Sequence, residues 1–442
     1  MSETTPITPE RRLPAAVETV HRPDQPNRRR MFNELWIVLA TILTVVGIAL
    51  RQASLLIAPL LFLAIYGVAY LWRRSTYRGV SYRRHFSPQR AFAGETIELT
   101  VELENRKALP LSWLCLTDVL PEGVTLLDDG KGSTDEITPN ALYDVFALRW
   151  YERLRQRYRI QCDQRGYYRF GPAHFISGDV FGISKIEGQA LRPDWLIVYP
   201  RVYPVEELGL PSKDPFGDLK AREVIFEDPL RIVGVREHQP GDGFRRVHWK
   251  ASARHQHLLS KVYEPATSHK LAIFLNVSTF EQPWRGTIPE LLERLISVTA
   301  SLANFGIEHR YAVGVIANSS VPNSSHHIKV PPGRSPQQMT RILEALAAVT
   351  PIAPASIERL LMEESPKLSR GATLVLVTAV LTDGLSATLL HLARAGRQIV
   401  LIVLGDAPPN PVLERHAIVY RVAPDRLAFQ RQTAATEEEG AL

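Results

Sequence analysis

A chain of 442 residues is too long for one ordinary domain and predicts two or three. Its 45% hydrophobic content is enough for packed cores, while two cysteines, Cys115 and Cys162, exclude a disulfide scaffold and a cysteine-rich metal knuckle. The net charge of +6 is weighted by arginines beside an apolar N-terminal segment, so it reads first as membrane topology rather than as a nucleic-acid footprint.

Residues 1–33 carry Pro6, Pro9, Pro14, Pro23 and Pro26 among charged residues and read as a disordered tail. Two apolar runs follow, 35–50 and 53–72, separated only by Arg51 and Gln52. One span needs about 20 apolar residues, so the pair suits a transmembrane helical hairpin over 34–73. Arg22, Arg28, Arg29 and Arg30 precede it, and Arg73, Arg74, Arg78, Arg83 and Arg84 follow it; the loop offers only Arg51. The positive-inside rule then expects a two-pass protein of the cell (inner) membrane, its N-terminus and soluble domains in the cytoplasm and its cysteines reduced. A cleaved signal peptide is the alternative, but no small-x-small site follows the first run and a second begins at once.

Residues 76–205 read as β structure. In T-I-E-L-T-V-E-L-E, Ile97, Leu99, Val101 and Leu103 point one way, and Glu98, Thr100, Glu102 and Glu104 the other. Further strands are expected at 111–116, 143–150, 154–162 and 167–170. Turns are expected at Pro121-Glu122-Gly123, Asp129-Gly130, Arg165-Gly166 and Gly171-Pro172, which suggests an immunoglobulin-like β-sandwich. Arg153, Arg155, Arg157 and Arg159 alternate with other residues, so a strand places all four on one face, about 7 Å apart. Such a stripe suits either anionic lipid headgroups or a solvated face paired with acidic neighbours. No aromatic interleaving accompanies it, which argues against nucleic acid as a partner.

Beyond residue 265 the pattern changes. Short apolar runs at 270–276, 310–316, 372–378 and 398–404 alternate with helical stretches at 288–305, 336–349 and 386–395. This predicts a doubly wound α/β domain over 265–425, with ligand loops beginning at Asn276, Ala317 and Thr378. Residues 426–442, with Glu437–Glu439, read as a second disordered tail.

The linker, 206–264, holds the most distinctive stretch: R-E-H-Q-P-G-D-G-F-R-R-V-H-W-K-A-S-A-R over 236–254. It packs Glu237 and Asp242 among Arg236, Arg245, Arg246, Lys250 and Arg254, with one large aromatic, Trp249. The run Arg236, Glu237, Pro240, Gly241, Asp242, Arg245, Trp249, Lys250, Ala253, Arg254 resembles the signature of domain-of-unknown-function family 58, with His238 and His248 departing from it. Asp179-Val180-Phe181-Gly182 and Pro331-Pro332-Gly333 are similar to that family as well. The resemblance implies a von Willebrand factor A-like domain in a bacterial membrane protein that partners a MoxR-type AAA+ ATPase and other membrane or envelope proteins in chaperone-like assembly of envelope or other complexes. It establishes no reaction. On the residues alone the stretch is either a salt-bridge knot docking the linker or a recognition surface for an acidic partner.

A Mg²⁺-binding domain of that type carries D-x-S-x-S after its first strand; here the positions hold Asn276, Ser278 and Phe280, a degenerate set with little negative charge. His238, Asp242 and His248 form an imaginable acid–base cluster, yet no nucleophile elbow, P-loop or H-E-x-x-H accompanies them. His326 and His327 are adjacent, a poor spacing for one metal. The sequence therefore implies no cofactor, no metal and no catalysis, and its leading expectation is a membrane-tethered scaffold. A hydrolase built on 236–254 and an anionic-lipid sensor built on the stripe are the competing classes.

Overall fold

The computed structural model describes residues 30–50, 53–127, 140–178, 185–211, 227–240, 242–265, 269–320, 327–369, 371–405 and 410–422, with Glu18–Thr19 and Phe216. The chain divides into two compact units, Met1–Tyr199 and Pro200–Leu442.

In the first unit a short β1 (Glu18–Thr19) precedes two helices, α1 (Arg30–Ala49) and α2 (Ala53–Ser75), which pack as a hairpin. Leu, Ile, Ala and Val dominate both, and the described side chains of α2 run apolar from 56 to 72. Among the described residues no helix is long and apolar enough to cross a membrane. Both helices nevertheless turn apolar side chains outward, Val45 and Ile48 on α1 and Ile57, Leu61 and Leu71 on α2 among them.

The strands that follow are β2 (Val80–Ser87), β3 (Arg90–Phe92), β4 (Thr96–Asn105), β5 (Leu111–Val119), β6 (Val124–Leu126), β7 (Ala141–Leu148), β8 (Arg153–Cys162), β9 (Gly166–Phe170), β10 (Ala173–Gly178), β11 (Lys185–Ala190) and β12 (Asp194–Tyr199). They form sheets ordered β1-β2-β4-β8-β6, β11-β10-β5-β7 and β3-β12-β9, antiparallel except where β3 meets β12. Alternation decides which residues go inside. On β4, Ile97, Leu99, Val101 and Leu103 are buried and meet Leu114, Leu116, Tyr158, Phe170 and Phe175 in one core. The turn at Gly123 takes φ +90°, and a Cβ there would lie 2.4 Å from the Tyr168 hydroxyl, so glycine is required. The expected strands are all present; β1, β2, β3, β6, β10, β11 and β12 join them. Asp129-Gly130 and Asp179–Gly182 lie outside the described residues.

Helix α2 runs directly into this sandwich. Lys107, in the β4–β5 loop, donates to the Ser75 carbonyl at 2.7 Å and also to that of Thr76. Arg106 N–H donates to Gly79 O at 2.8 Å, and the buried Tyr77 hydroxyl donates to Ile186 O at 2.6 Å. A lysine on the last carbonyls satisfies groups that a helix end leaves unpaired.

The second unit begins with a hairpin of β13 (Glu227–Glu237) and β14 (Leu259–Pro265), whose connection contains α3 (Trp249–His255). Then come β15 (Lys270–Leu275), α4 (Pro289–Glu308), β16 (Ala312–Ser320), β17 (His327–Gly333), α5 (Gln338–Ala347), α6 (Ile357–Glu364), β18 (Ala372–Thr378), α7 (Asp383–Arg394), β19 (Ile399–Leu404), α8 (Pro411–Glu414) and β20 (Ile418–Val422). The six strands order as β17-β16-β15-β18-β19-β20, all parallel but for β17. Ala272, Phe274, Leu374, Leu376 and Leu401 face α6, α7 and α8, while α4 covers the other face of β15, β16 and β18. This is the doubly wound arrangement. The polar, proline-bearing β17 escapes a hydrophobic reading because it is an edge, where Pro331 and Pro332 cost no ladder bond. It lies against Gly314, whose absent side chain leaves room for the Pro332 backbone; a Cβ there would stand 2.5 Å from Pro332 N.

Candidate functional site

Two clusters in the second unit hold the residues singled out above. The first sits at the carboxyl ends of β15, β16 and β18. Asn276 is buried; its Nδ2 donates to Thr378 Oγ1 at 3.0 Å, and its Oδ1 accepts from Ser278 N at 3.2 Å and Asn318 Nδ2 at 3.0 Å. Asn318 Oδ1 accepts from Val277 N at 2.8 Å, and Thr378 Oγ1 donates to Val380 O at 2.8 Å. Three strand ends are thus stitched together by amides, and the oxygen that a hard cation would need is spent on N–H donors. Asn318, one residue past the expected loop start at Ala317, is the member that alternation alone does not reveal.

The second cluster is the 236–254 motif, and it centres on Asp242. Oδ1 accepts from Arg236 Nη2 at 2.6 Å; Oδ2 accepts from Gln239 N at 3.1 Å and Ser260 Oγ at 3.0 Å. These donors, the Gln239 amide first, hold its carboxyl near pH 2, below the usual carboxylate range. His238 Nδ1 lies 2.9 Å from Ser260 Oγ and 4.0 Å from Asp242 Oδ2. Ser260 therefore stands between carboxylate and imidazole, with its proton committed to Asp242. A hydrolytic relay needs the histidine in the middle. His248 is otherwise engaged: its Nδ1 accepts from Ala251 N at 3.1 Å and caps α3. Ser252 Oγ, which accepts from Leu259 N at 2.9 Å, ties α3 back to β14.

The remaining motif residues face outward. Trp249 is 64% exposed and Phe244 75% exposed, so the aromatic stands outside the charge knot rather than at its centre. Arg245, Lys250, Arg254, Glu237 and Pro240 are exposed as well, and Gly241 lies outside the described residues. Phe244 and Trp249 thus share one exposed stretch with Arg245, Lys250 and Arg254, cations without an acidic partner among the described residues.

The arginine stripe, in the first unit, meets acids on β4. Arg153 reaches Glu104 at 3.0 Å, Arg155 reaches Glu102 at 2.8 Å and Arg157 reaches Glu98 at 3.0 Å. Arg159 stands opposite Glu98 in the register. Hydrogen bonds from Arg106 and Arg153 lower the Glu104 carboxyl to about 2. His327 is buried enough to lower its pKa and lies 3.7 Å from Glu364, which Lys329 and Lys367 already hold; His326 lies outside the described residues.

A β-sandwich unit followed in the chain by a mixed α/β sheet, entered through an aspartate-centred knot, defines the class of protein. Residues 234–408, which include the motif, match the family model described as "Protein of unknown function DUF58". The chain is also similar to the uncharacterized protein YeaD of Bacillus subtilis (strain 168), with 27% identity over 325 residues, 73% of this chain and 74% of that one. Both findings support the resemblance drawn from the motif. Among solved structures, the CARDB domain of the PF1109 protein from Pyrococcus furiosus matches with 10% identity, 27% of this chain, 91% of that chain and a TM-score of 0.18. A collagen-binding domain from a Staphylococcus aureus adhesin matches with 9% identity, 26% and 96% coverage and a TM-score of 0.20.

Proposed function

We propose that this protein is a membrane-tethered, non-enzymatic adaptor. In this reading α1 and α2 cross the bilayer of the cell (inner) membrane as a hairpin, and the second unit meets protein partners in the cytoplasm. The observation that carries it is the outward exposure of Val45, Ile48, Ile57, Leu61 and Leu71 on paired helices joined to a sandwich with a complete core of its own. Each exposed Å² of apolar surface costs about 25 cal/mol in water, a cost that hydrocarbon removes. Arg28 to Arg30 before the hairpin and Arg74 and Arg78 after it support the orientation.

The sheet order with one antiparallel edge, and the polar cluster around Asn276 and Ser278 at its strand ends, support reading the second unit as von Willebrand A-like. The partner surface is the exposed group Phe244, Arg245, Trp249, Lys250 and Arg254, and a MoxR-type AAA+ ATPase presenting acidic residues is the partner it suits. The test is a pull-down of detergent-solubilised full-length protein from its own cells. The ATPase is expected in the wild-type eluate and depleted with Trp249→Ala/Lys250→Glu. An eluate without it sinks the adaptor reading.

A further inference from the structure

We infer that the β7–β8 turn of the sandwich, Arg149-Trp150-Tyr151-Glu152, is a membrane-interface foot that rests in the headgroup layer beside the end of α2. The inference depends on the proposal that α2 lies in the bilayer.

Trp150 is 65% exposed and Tyr151 71% exposed, side by side in a tight turn where polar residues or glycine are the rule. Tyr151 also holds φ +55°, a left-handed conformation that a bulky side chain seldom adopts. The turn is fastened to the helix end by a short chain of contacts. Tyr151 N donates to Lys107 O at 3.2 Å, and the Lys107 ammonium donates to the carbonyls of Ser75 and Thr76 that close α2. Asn105 adds a second tie, donating from Nδ2 to Arg149 O at 2.8 Å and from its backbone N to Glu152 O at 2.8 Å. One lysine side chain and one backbone hydrogen bond therefore separate the aromatic pair from the last turn of the helix. A headgroup layer is roughly 5–7 Å deep on each side of the hydrocarbon, so a helix ending at that layer carries the turn into or against it.

The chemistry fits that depth. Tryptophan and tyrosine, apolar in body and polar at the tip, concentrate at the boundary between hydrocarbon and water. Arg74 and Arg78 at the end of α2 and Arg149 in the tied turn are exposed and without an acidic partner among the described residues, and they suit lipid phosphates. By contrast, the arginines of β8 are engaged by Glu98, Glu102 and Glu104, so the lipid contact belongs to the end of the sandwich and not to its striped face.

The experiment uses full-length protein in vesicles of phosphatidylcholine with a minority of phosphatidylglycerol, carrying nitroxide-labelled lipids. Single reporters are placed as Trp150→Cys, Tyr151→Cys, Leu60→Cys in α2 and Trp195→Cys, an exposed aromatic on β12. The native thiols do not compete, because both are buried and burial, with Glu95 and Asp163 nearby, pushes Cys162 up to about 12. The positions 150 and 151 are expected to be quenched several-fold more by headgroup-labelled than by chain-end-labelled lipid, position 60 the reverse, and position 195 by neither. Quenching at 60 but not at 150 or 151 overturns the foot and leaves the membrane reading standing. No quenching at 60 overturns both.

Discussion

The guanidinium of Arg84 on β2 grips Asp118 on β5 at two points, Nε to Oδ2 at 2.6 Å and Nη2 to Oδ1 at 2.8 Å, with side chains 1% and 3% exposed. Its third nitrogen reaches Asp194 Oδ2 on β12 at 3.1 Å, and the Tyr82 hydroxyl donates to Asp118 at 3.0 Å. One cation thereby touches all three sheets. Burial opposes its charge, but Tyr82, Asp118 and Asp194 outweigh that and hold its pKa above the ordinary value. Burial pushes the Asp194 carboxyl up, with Arg84 acting against it. A count of basic residues following the hairpin includes Arg84; in the fold it is core, which leaves Arg73, Arg74, Arg78 and Arg83 in that count.

Removing one partner of such a pair strands the other in a medium that cannot solvate it. Arg84→Leu or Asp118→Leu alone is expected to lower unfolding stability by about 3–5 kcal/mol. The double replacement Arg84→Met/Asp118→Leu should recover most of that loss, because a packed apolar pair needs no solvation. Chemical denaturation of the detergent-solubilised protein measures both. A single replacement costing less than about 1 kcal/mol, the range of a surface pair, would show that the pair is not buried as described.

Asp242 gives a pH-dependent signature. Its folded pKa is depressed to about 2 from an ordinary value near 3.8, first by the Gln239 amide and next by Arg236. The stability it contributes is therefore complete above about pH 4 and is lost as pH falls through 2. Hydrogen exchange at the Gln239 amide, taken relative to the intrinsic amide rate at each pH, should lose its protection over that interval in the wild type. In Asp242→Asn it should be fast already at neutral pH. An unchanged rate in that variant contradicts the knot.

What could be read from residues alone follows physical lines. Alternation in 96–104 and the unbroken apolar runs of β15, β18 and β19 announce their elements because one or both faces of each strand are buried. β10 and β11 give weaker signals, since Ala173–Gly178 and Lys185–Ala190 mix small and polar residues and pair chiefly with each other and β5. In the motif, charge spacing identifies Arg236 and Asp242 as members of one cluster. It cannot say that Ser260, on the far strand of the hairpin, completes it, or that Trp249 faces away. Long-range partners are set by register, which pattern does not encode. Tyr151 was hidden for the same reason: its turn matters through Lys107 and the helix end, both distant in sequence.

At the strand ends, Asn276 and Asn318 share one hydrogen-bond network and should not act independently. Asn276→Ala removes the acceptor shared by Asn318 Nδ2 and Ser278 N and the donor to Thr378 Oγ1, and is expected to cost about 1–3 kcal/mol, the penalty of weakening buried polar pairing. Asn318→Ala strands the Val277 amide at similar cost. The double variant should lose clearly less than the sum, with a coupling energy of at least about 0.5 kcal/mol by thermal or chemical unfolding. Strict additivity would mean that the two amides do not touch.

The stripe makes the opposite prediction. Arg155 and Arg157 are exposed and paired with Glu102 and Glu98, and exposed pairs are worth at most about 1 kcal/mol because water screens them and long side chains resist being held. Arg155→Ala and Arg157→Ala should each shift unfolding stability by less than that. Because the acids already engage these guanidiniums, both variants should float with anionic vesicles as the wild type does, at low and high salt alike. Charge reversal on the neighbouring strand tests the pairing directly. Glu102→Lys removes the partner of Arg155 and the longer of the two contacts of Arg153, which keeps Glu104, and in flotation at low salt it should increase retention on anionic vesicles, since the freed Arg155 and the new lysine then face phosphate instead of carboxylate. A loss of retention in the two alanine variants would show instead that the arginines bind lipid despite their glutamates.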